Sequence, residues 1–304
     1  MCRMKGIIIT FLFSVSLILF GCTYQPEYFS KEELEGYSSP IVFLKSAENE
    51  KKYFMISDDP DSKVYLEYSK IWDFDPDRRT FLFSMIEDGE KGIYEYDLKN
   101  GSYKCLIEES SLSQYLQISN EEDIEAVYYR LSSDEVSGVY GDTLFIYNKA
   151  TSEYIYTMDL TDVSWGRVYG WLDENTFLFM NLGKAFEINI ETGKMIELEN
   201  NLGFSIHISA DKTVGCSNGD ENWFGVSFSP ILFWDTADYN IKRFHEGINT
   251  SAHLGISDDH KYILFVRGND EDQGENDQLL CIRIEDEKLC IFFESEDEII
   301  DLLW

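Results

Sequence analysis

Short alternations of apolar and polar residues fill the chain from about residue 40 to its end, with turn-forming residues between them. Alternation with a period of two over about four to eight residues predicts a half-buried β-strand. Residues 94–98 (YEYDL) and 186–190 (FEINI) are examples. No stretch after residue 22 has a long helical period, so the pattern predicts an all-β chain.

One element recurs at intervals of about 45 residues: an apolar alternation, then a polar residue, then a turn. Its clearest copies are residues 96–101 (YDLKNG) and 188–193 (INIETG). Asn100 and Gly101 favour a tight primed turn of a β-hairpin. Weaker copies, the last being the loosest, are 147–152 (YNKATS), 234–238 (WDTAD), 282–286 (IRIED) and 56–61 (ISDDPD). This interval is typical of four-stranded propeller blades.

A second element lies upstream of most of these hairpins and consists of an acidic turn followed by an aromatic-rich strand. Its copies are residues 75–83 (DPDRRTFLF), 172–179 (LDENTFLF) and 257–265 (SDDHKYILF). It predicts another hairpin, so each unit holds four strands, here named A to D. The repeated Phe81, Phe83, Phe177, Phe179 and Phe265 are expected to fill the space between blades.

The repeats predict five complete blades and a sixth that joins the two ends of the chain. The complete blades span residues 71–108, 124–159, 165–199, 204–246 and 252–294. The sixth takes its A strand from residues 298–304 and its other strands from residues 41–45, 53–57 and 64–68. Such closure removes exposed sheet edges. A seventh blade would need a hairpin within residues 108–123, which lack that signature.

These elements resemble the TolB-like and WD40-like propeller repeats. The nearest matches to the first turn of those repeats are Trp171 with Asp173, and Asp75-Pro76-Asp77, while residues 96–101 match the later hairpin. The resemblance extends over residues 40–304. It implies a β-propeller domain and says little about function.

The first 22 residues have the pattern of a secretion signal. Arg3 and Lys5 precede an apolar run over residues 6–20 that is short for a membrane span. Residues 19–22 (LFGC) resemble the lipobox of bacterial lipoproteins. The resemblance implies that residues 1–21 are removed and that Cys22 carries acyl chains such as palmitate. We therefore expect an extracytoplasmic protein that is anchored to the bacterial cell membrane.

Two other interpretations of this start are an ordinary signal peptide and a retained membrane helix.

The polar residues that follow, 22–39 including the lipidated cysteine, have no periodic apolar face. They are expected to form a flexible tether between the membrane and the propeller domain of residues 40–304.

The net charge restricts the partners. Lys and Arg total 25 against 57 Asp and Glu, which gives a formal charge of −32. Such a chain repels nucleic acid and anionic headgroups, so binding to a nucleic-acid backbone is excluded. The same charge favours a basic protein or peptide partner and a salt-sensitive association.

Four cysteines remain after Cys22, and two of them are expected to face each other. If Ile284 pairs with Glu287, Cys281 lies directly opposite Cys290 on one hairpin. In an oxidising compartment that position favours a disulfide, and two buried free thiols are the alternative. Both interpretations stay open at this point.

Two histidines fall on expected innermost strands of neighbouring blades. His207 and His253 could both face the central channel, where a metal site would need a further ligand. A channel or core role without metal is the expectation for both residues.

An acidic insertion over residues 267–277 separates strands B and C of blade five and contains Asp270, Asp272 and Asp277. An EF-hand does not fit it, because Gly274 at the sixth loop position places Leu280 where the bidentate acid belongs. A solvated loop is the expectation, with loosely bound calcium as the alternative and no other cofactor.

Blade four has a smaller insertion at the same place, and the aromatic pair Trp223 and Phe224 follows it, off the repeat. In propellers the B–C and D–A loops emerge on one face, so the connection over residues 110–123 belongs to that face as well. Long loops are where binding residues concentrate, and we expect the binding site there.

No nucleophile elbow, zinc-protease motif or phosphate-binding glycine loop occurs in the sequence. We therefore expect a non-catalytic binding module of the cell envelope, for a protein or peptide. The alternatives are a small-ligand or glycan receptor that uses Trp223 and Phe224, and a hydrolase or lyase with its site in the channel.

Overall fold

The protein is described by a computed structural model. It describes residues 27–304 apart from 76–77, 89, 109, 112–126, 131–134, 141–142, 161–165, 182–183, 220, 224–225, 229, 245–249 and 268–275.

Nearly all regular structure in the described residues is β-strand. The first half of the strands are β1 (Ile41–Lys45), β2 (Lys52–Ile56), β3 (Asp59–Tyr65), β4 (Lys70–Asp75), β5 (Thr80–Glu87), β6 (Glu90–Asp97), β7 (Ser102–Glu108), β8 (Val127–Arg130), β9 (Glu135–Tyr140), β10 (Thr143–Asn148), β11 (Glu153–Asp159), β12 (Gly166–Trp171) and β13 (Thr176–Asn181). The remainder are β14 (Lys184–Asn189), β15 (Lys194–Glu197), β16 (Phe204–Ile208), β17 (Val214–Asn218), β18 (Glu221–Trp223), β19 (Val226–Phe228), β20 (Ile231–Asp235), β21 (Ile241–Phe244), β22 (Thr250–Ile256), β23 (Tyr262–Arg267), β24 (Asp277–Arg283), β25 (Leu289–Ser295) and β26 (Glu298–Leu303).

In the part of the chain that the structure describes, these strands form six antiparallel four-stranded blades. Blades one to three are β4–β7, β8–β11 and β12–β15. Blade four is β16-β17-β20-β21, with the small hairpin β18-β19 inserted, and blade five is β22–β25. Blade six has the order β26-β1-β2-β3, and Val42 pairs with Leu302 where the two ends of the chain meet. The predicted closure is confirmed.

The first strands of the blades form a closed ring at the centre. β26 contacts β4, β4 contacts β8, and the contacts continue through β12, β16 and β22 back to β26. Since β4 of blade one contacts β8 of blade two directly, these two blades are neighbours in the ring of six that the described residues form.

Large apolar side chains fill the wedges between blades, as the repeated aromatic positions predict. Phe81 and Phe83 pack with residues of blade six, and Phe177 and Phe179 pack with residues of blade two. Phe265 lies in the cluster between blades four and five. All of these rings are buried, and Phe43 meets Phe81 edge-on with their ring centroids 5.3 Å apart.

The C–D hairpin turn is longer than the two-residue turn that Asn100-Gly101 predicts. Asp97 pairs with Ser102, which leaves four residues in the loop. The Asp97 carboxylate explains the difference, because Oδ1 accepts hydrogen bonds from the backbone N–H of Lys99 at 2.8 Å and of Asn100 at 3.0 Å. An aspartate that caps its own turn in this way stabilises the longer loop.

The last loop residue of this turn has a positive φ in all five blades that have the four-residue loop. These residues are Gly101 (φ 63°), Ser152 (φ 58°), Gly193 (φ 67°), Tyr239 (φ 54°) and Glu287 (φ 63°). The loosest copy of the repeat differs, because Ile56 pairs with Asp59 across a two-residue turn. For that reason β3 begins at Asp59, five residues earlier than the predicted start at residue 64.

The segment that was expected to be a flexible tether packs on the propeller over residues 27–39, which we call the N-terminal strap. A 3-10 helix (Lys31–Leu34) forms within it. Phe29 and Leu34 are buried in the cluster between blades five and six. The expectation of a free tether is therefore wrong for residues 27–39, because Phe29 and Leu34 pack into the apolar cluster between blades five and six, where the ring closes.

Candidate functional site

The propeller has two faces whose connections differ in length. The blades are antiparallel, so the A–B and C–D connections lie on one face, the turn face, and the B–C and D–A connections lie on the other, the loop face. On the turn face, Asp173 accepts hydrogen bonds from two backbone N–H groups, and Asn148 does the same in blade two. These turns are short and held by their own side chains.

The long connections belong to the loop face. They are residues 109–126 between blades one and two, residues 268–276 between β23 and β24, and residues 219–230 between β17 and β20. The sequences of the first two are rich in Asp and Glu. The loop face therefore combines the long connections with acidic composition.

The hairpin β18-β19 lies within the third of these connections. Trp223 ends β18 and pairs with Val226. Trp223 thus lies at the end of one strand of an inserted hairpin on the loop face. The side chain of Trp223 and all of Phe224 lie outside the described residues.

Asp277 has a structural role, contrary to its assignment to the exposed binding loop. It begins β24 and is buried, with 9% of its surface exposed. Its Oδ2 accepts a hydrogen bond of 2.7 Å from the backbone N–H of Ile299 on the closing strand β26. A carboxylate held in this way joins blade five to blade six. The other two predicted acids, Asp270 and Asp272, lie outside the described residues.

His207 lies on β16, the first strand of blade four, opposite Cys216. Burial lowers the pKa of His207 to about 4, so the imidazole is neutral at pH 7. His253 lies on β22, which contacts β16, but its side chain is outside the described residues. Among the described side chains, no group of three or more His, Cys, Asp or Glu could hold a metal ion.

Cys281 and Cys290 are directly opposite each other in the β24-β25 ladder, which confirms the predicted register. The loop between them has four residues, and the register is the same as for the predicted two-residue turn. Both side chains are buried free thiols in the structure. Burial, and next the neighbouring Cys290, raise the pKa of Cys281, and burial raises that of Cys290. The disulfide stays a prediction.

The N-terminal strap contributes contacts that the sequence did not predict. Tyr37 Oη donates to Asp259 Oδ2 at 2.6 Å, and Trp304 Nε1 donates to the backbone carbonyl of Ser38 at 2.7 Å. The apolar residues of an otherwise polar segment, Phe29 and Leu34, were the available signal. Cys22 lies outside the described residues, and no helix among the described residues is long and apolar enough to cross a membrane.

No family model matches the sequence, and no curated protein matches it. Solved structures match the fold instead. TolB from Acinetobacter baumannii has 11% identity and a TM-score of 0.60, with 89% of this chain and 69% of that chain covered. A chain of the nidogen/laminin complex has 10% identity and a TM-score of 0.56, with 87% and 97% covered. A protein of unknown function from Bacteroides caccae has 11% identity and a TM-score of 0.54, with 87% and 98% covered. At these identities the likeness concerns the fold alone, and the chain folds as a TolB-like six-bladed β-propeller.

Proposed function

We propose that this chain is an extracytoplasmic lipoprotein, anchored through Cys22, whose propeller binds a basic protein or peptide of the cell envelope on its loop face. The binding is not coupled to catalysis and needs no cofactor. The observation that carries the proposal is the difference between the faces: short, self-capped turns on one, and long acid-rich connections on the other. Long loops on a rigid scaffold are typical of binding surfaces.

Four side chains of the propeller are poorly suited to chemistry, which supports a binding function. Burial raises the pKa of the buried thiols Cys216 and Cys281, which makes them poor nucleophiles at neutral pH. His207, with its pKa lowered to about 4, is a weak base. Asp277 is occupied by its bond to the closing strand.

The anchor is supported by the charged start, the short apolar run and the lipobox-like residues 19–22. Two or more acyl chains on Cys22 would hold the protein stably at a membrane. Removal of the signal would leave an acidic protein outside the cytoplasm, where a basic partner would be attracted to the loop face over a Debye length.

The test is chemical crosslinking in intact cells, followed by capture of the protein and identification of what accompanies it. The informative variant is Asp270→Asn with Asp272→Asn. It removes two negative charges from the acidic insertion and leaves Asp277 in place. The matched control, Glu174→Gln with Glu191→Gln, makes the same charge change at exposed positions of the turn face. We expect a dominant basic protein that is captured less by the first variant, equally by the second, and less at high salt.

Equal capture by both variants would place the site away from the acidic insertion. If the propeller accelerates a chemical reaction of the captured partner, the non-catalytic part of the proposal is contradicted. If no protein accompanies the propeller, the protein-binding proposal is wrong.

A second candidate, a small-ligand or glycan receptor, is favoured by one observation: Trp223 lies on a hairpin inserted beside the regular blade strands. Aromatic side chains on such a hairpin can stack on sugar rings. A glycan screen with Trp223→Ala as the comparison tests this candidate, which predicts binding that the substitution abolishes.

A further inference from the structure

The N-terminal strap begins with a single parallel β-bridge to the outer strand of blade five. The backbone N–H of Phe29 donates to the carbonyl of Leu289 at 2.7 Å, and the N–H of Leu289 donates to the carbonyl of Glu27 at 2.9 Å. Tyr28 and Leu289 thus form a parallel bridge. The strap therefore covers the start of an edge strand, and its direction is fixed at Glu27.

Side-chain contacts hold the strap along its whole length. Phe29 and Leu34 are 9% and 5% exposed within the core between blades five and six. Lys31 Nζ donates to the carbonyl of Phe292 at 2.9 Å. The bond from Tyr37 to Asp259 fixes the far end. Residues 27–39 thus belong to the propeller rather than to a linker.

The strap meets blade five at one particular corner. Leu289 is the first residue of β25, directly after the C–D loop of residues 284–287. C–D loops lie on the turn face. Glu27, the first described residue, therefore lies at the rim of blade five, on the side of the turn face.

Docking of the strap shortens the free chain between Cys22 and Glu27, which we call the leash. Cys22 and Glu27 are separated by five Cα–Cα steps, which span at most about 18 Å when fully extended. If residues 22–39 were all free, the same chain would reach about 60 Å. The anchored cysteine therefore cannot move far from the blade-five corner.

We propose that the strap holds the blade-five corner of the turn face against the membrane and points the loop face away from it. The proposal rests on the proposed lipidation of Cys22, and the partner of this surface is a lipid bilayer. In this orientation the acid-rich connections of the loop face extend toward soluble or membrane-distal partners.

Two ion pairs and an exposed tyrosine lie at the blade-five corner. Arg283 pairs with Asp286 at 2.8 Å and Lys288 pairs with Glu27 at 3.2 Å, so part of the acidic charge at this corner is neutralised. Tyr28 is 50% exposed next to the leash. Tyrosine rings favour the headgroup level of membranes.

The test is energy transfer from single labelled sites to acceptor-labelled headgroups, with the lipidated protein in vesicles of phosphatidylethanolamine and phosphatidylglycerol. In a Cys105→Ser background, Glu285→Cys places the donor at the blade-five corner. Asn276→Cys places it on the loop face of the same blade, and Thr151→Cys places it on the turn face of the opposite blade. We expect the efficiency of energy transfer from residue 285 to be at least about twice that from residue 276, because β24 separates the two sites by about 23 Å.

A matched variant with a Gly-Ser insertion between Gln25 and Pro26 lengthens the leash without touching the strap. We expect it to reduce the difference between the three sites. Equal transfer from all three sites in the protein with the natural leash overturns the proposed orientation. Mass spectrometry of Cys22 in the same samples separates this failure from a failure of the proposed anchoring, since a Cys22 without acyl chains overturns both.

Discussion

Tyr37 and Asp259, 222 residues apart, are joined by a hydrogen bond of 2.6 Å from the phenol to the carboxylate. The bond connects the N-terminal strap to the A–B turn of blade five. Partial burial opposes ionisation of Asp259, but hydrogen bonds from Lys261, Tyr37 and Ser257 outweigh it and lower its pKa to about 2. The carboxylate is therefore charged at neutral pH and accepts strongly from Tyr37.

Tyr37→Phe removes only the hydroxyl group of this contact. We expect it to lower the free energy of unfolding by about 1 kcal/mol, because one hydrogen bond to a charged acceptor is lost. Urea denaturation measures the change. The control is Tyr65→Phe, at an exposed tyrosine of β3, which should leave stability nearly unaltered. Equal effects of the two substitutions would show that the Tyr37 contact does not stabilise the strap.

The repeated positive φ of the C–D turn predicts substitutions of opposite sign. Ser152 has φ 58° at a position that is glycine in two other blades. Ser152→Gly should raise the free energy of unfolding by about 0.5–1 kcal/mol, because glycine adopts this conformation without strain. Gly193→Ala should lower it by about 1 kcal/mol, although an added Cβ would meet nothing within 4 Å. Thermal or urea unfolding of both variants checks the pair of signs.

The propeller fold could be predicted because the sequence signals of its strands and turns are local and repeated. Each blade carries its own alternation and turn residues, so positions such as Phe81 and Phe177 identify buried strands without knowledge of the neighbours. Closure was predictable for a related reason, since residues 298–304 form a strand that has no partner of its own blade nearby in sequence.

The strap and Asp277 were not predictable from the same reasoning. Phe29 and Leu34 follow no period, because beyond the single bridge at Tyr28 the strap forms no strand and packs on the cluster between blades five and six. Asp277 belongs to an acidic run, and only the three-dimensional arrangement places its carboxylate beside the N–H of Ile299. Contacts between residues distant in sequence decide both cases.

The register of Cys281 and Cys290 makes a prediction about thiol content. We expect the protein isolated from the cell envelope to contain this pair as a disulfide, because an oxidising compartment favours bonds between directly opposed cysteines. Alkylation after denaturation without reductant should then modify Cys105 and Cys216 only. With reductant it should modify all four cysteines of the described chain.

Cys290→Ser is the control, since it should make Cys281 reactive under denaturing conditions without reductant. In the folded reduced protein, Cys105 should react first because its side chain is exposed, whereas the pair lies in the core beneath the strap. Modification of all four cysteines before any reduction would establish the two free thiols instead.

His207 gives the fold a pH dependence whose direction follows from its burial. Burial lowers its pKa from 6.5 to about 4 in the folded state. Between these two pH values the unfolded chain binds the proton and the folded chain does not. The stabilisation is therefore fully present above pH 6.5 and declines as the pH falls toward 4.

We expect this residue to remove up to about 3 kcal/mol from the free energy of unfolding across that interval, since one pKa unit corresponds to about 1.4 kcal/mol. Urea unfolding at a series of pH values measures the slope. His207→Gln should flatten it, because glutamine does not titrate. An unaltered slope in His207→Gln would mean that the imidazole ring on β16 is hydrated from the channel, and would favour a site there that is open to solvent.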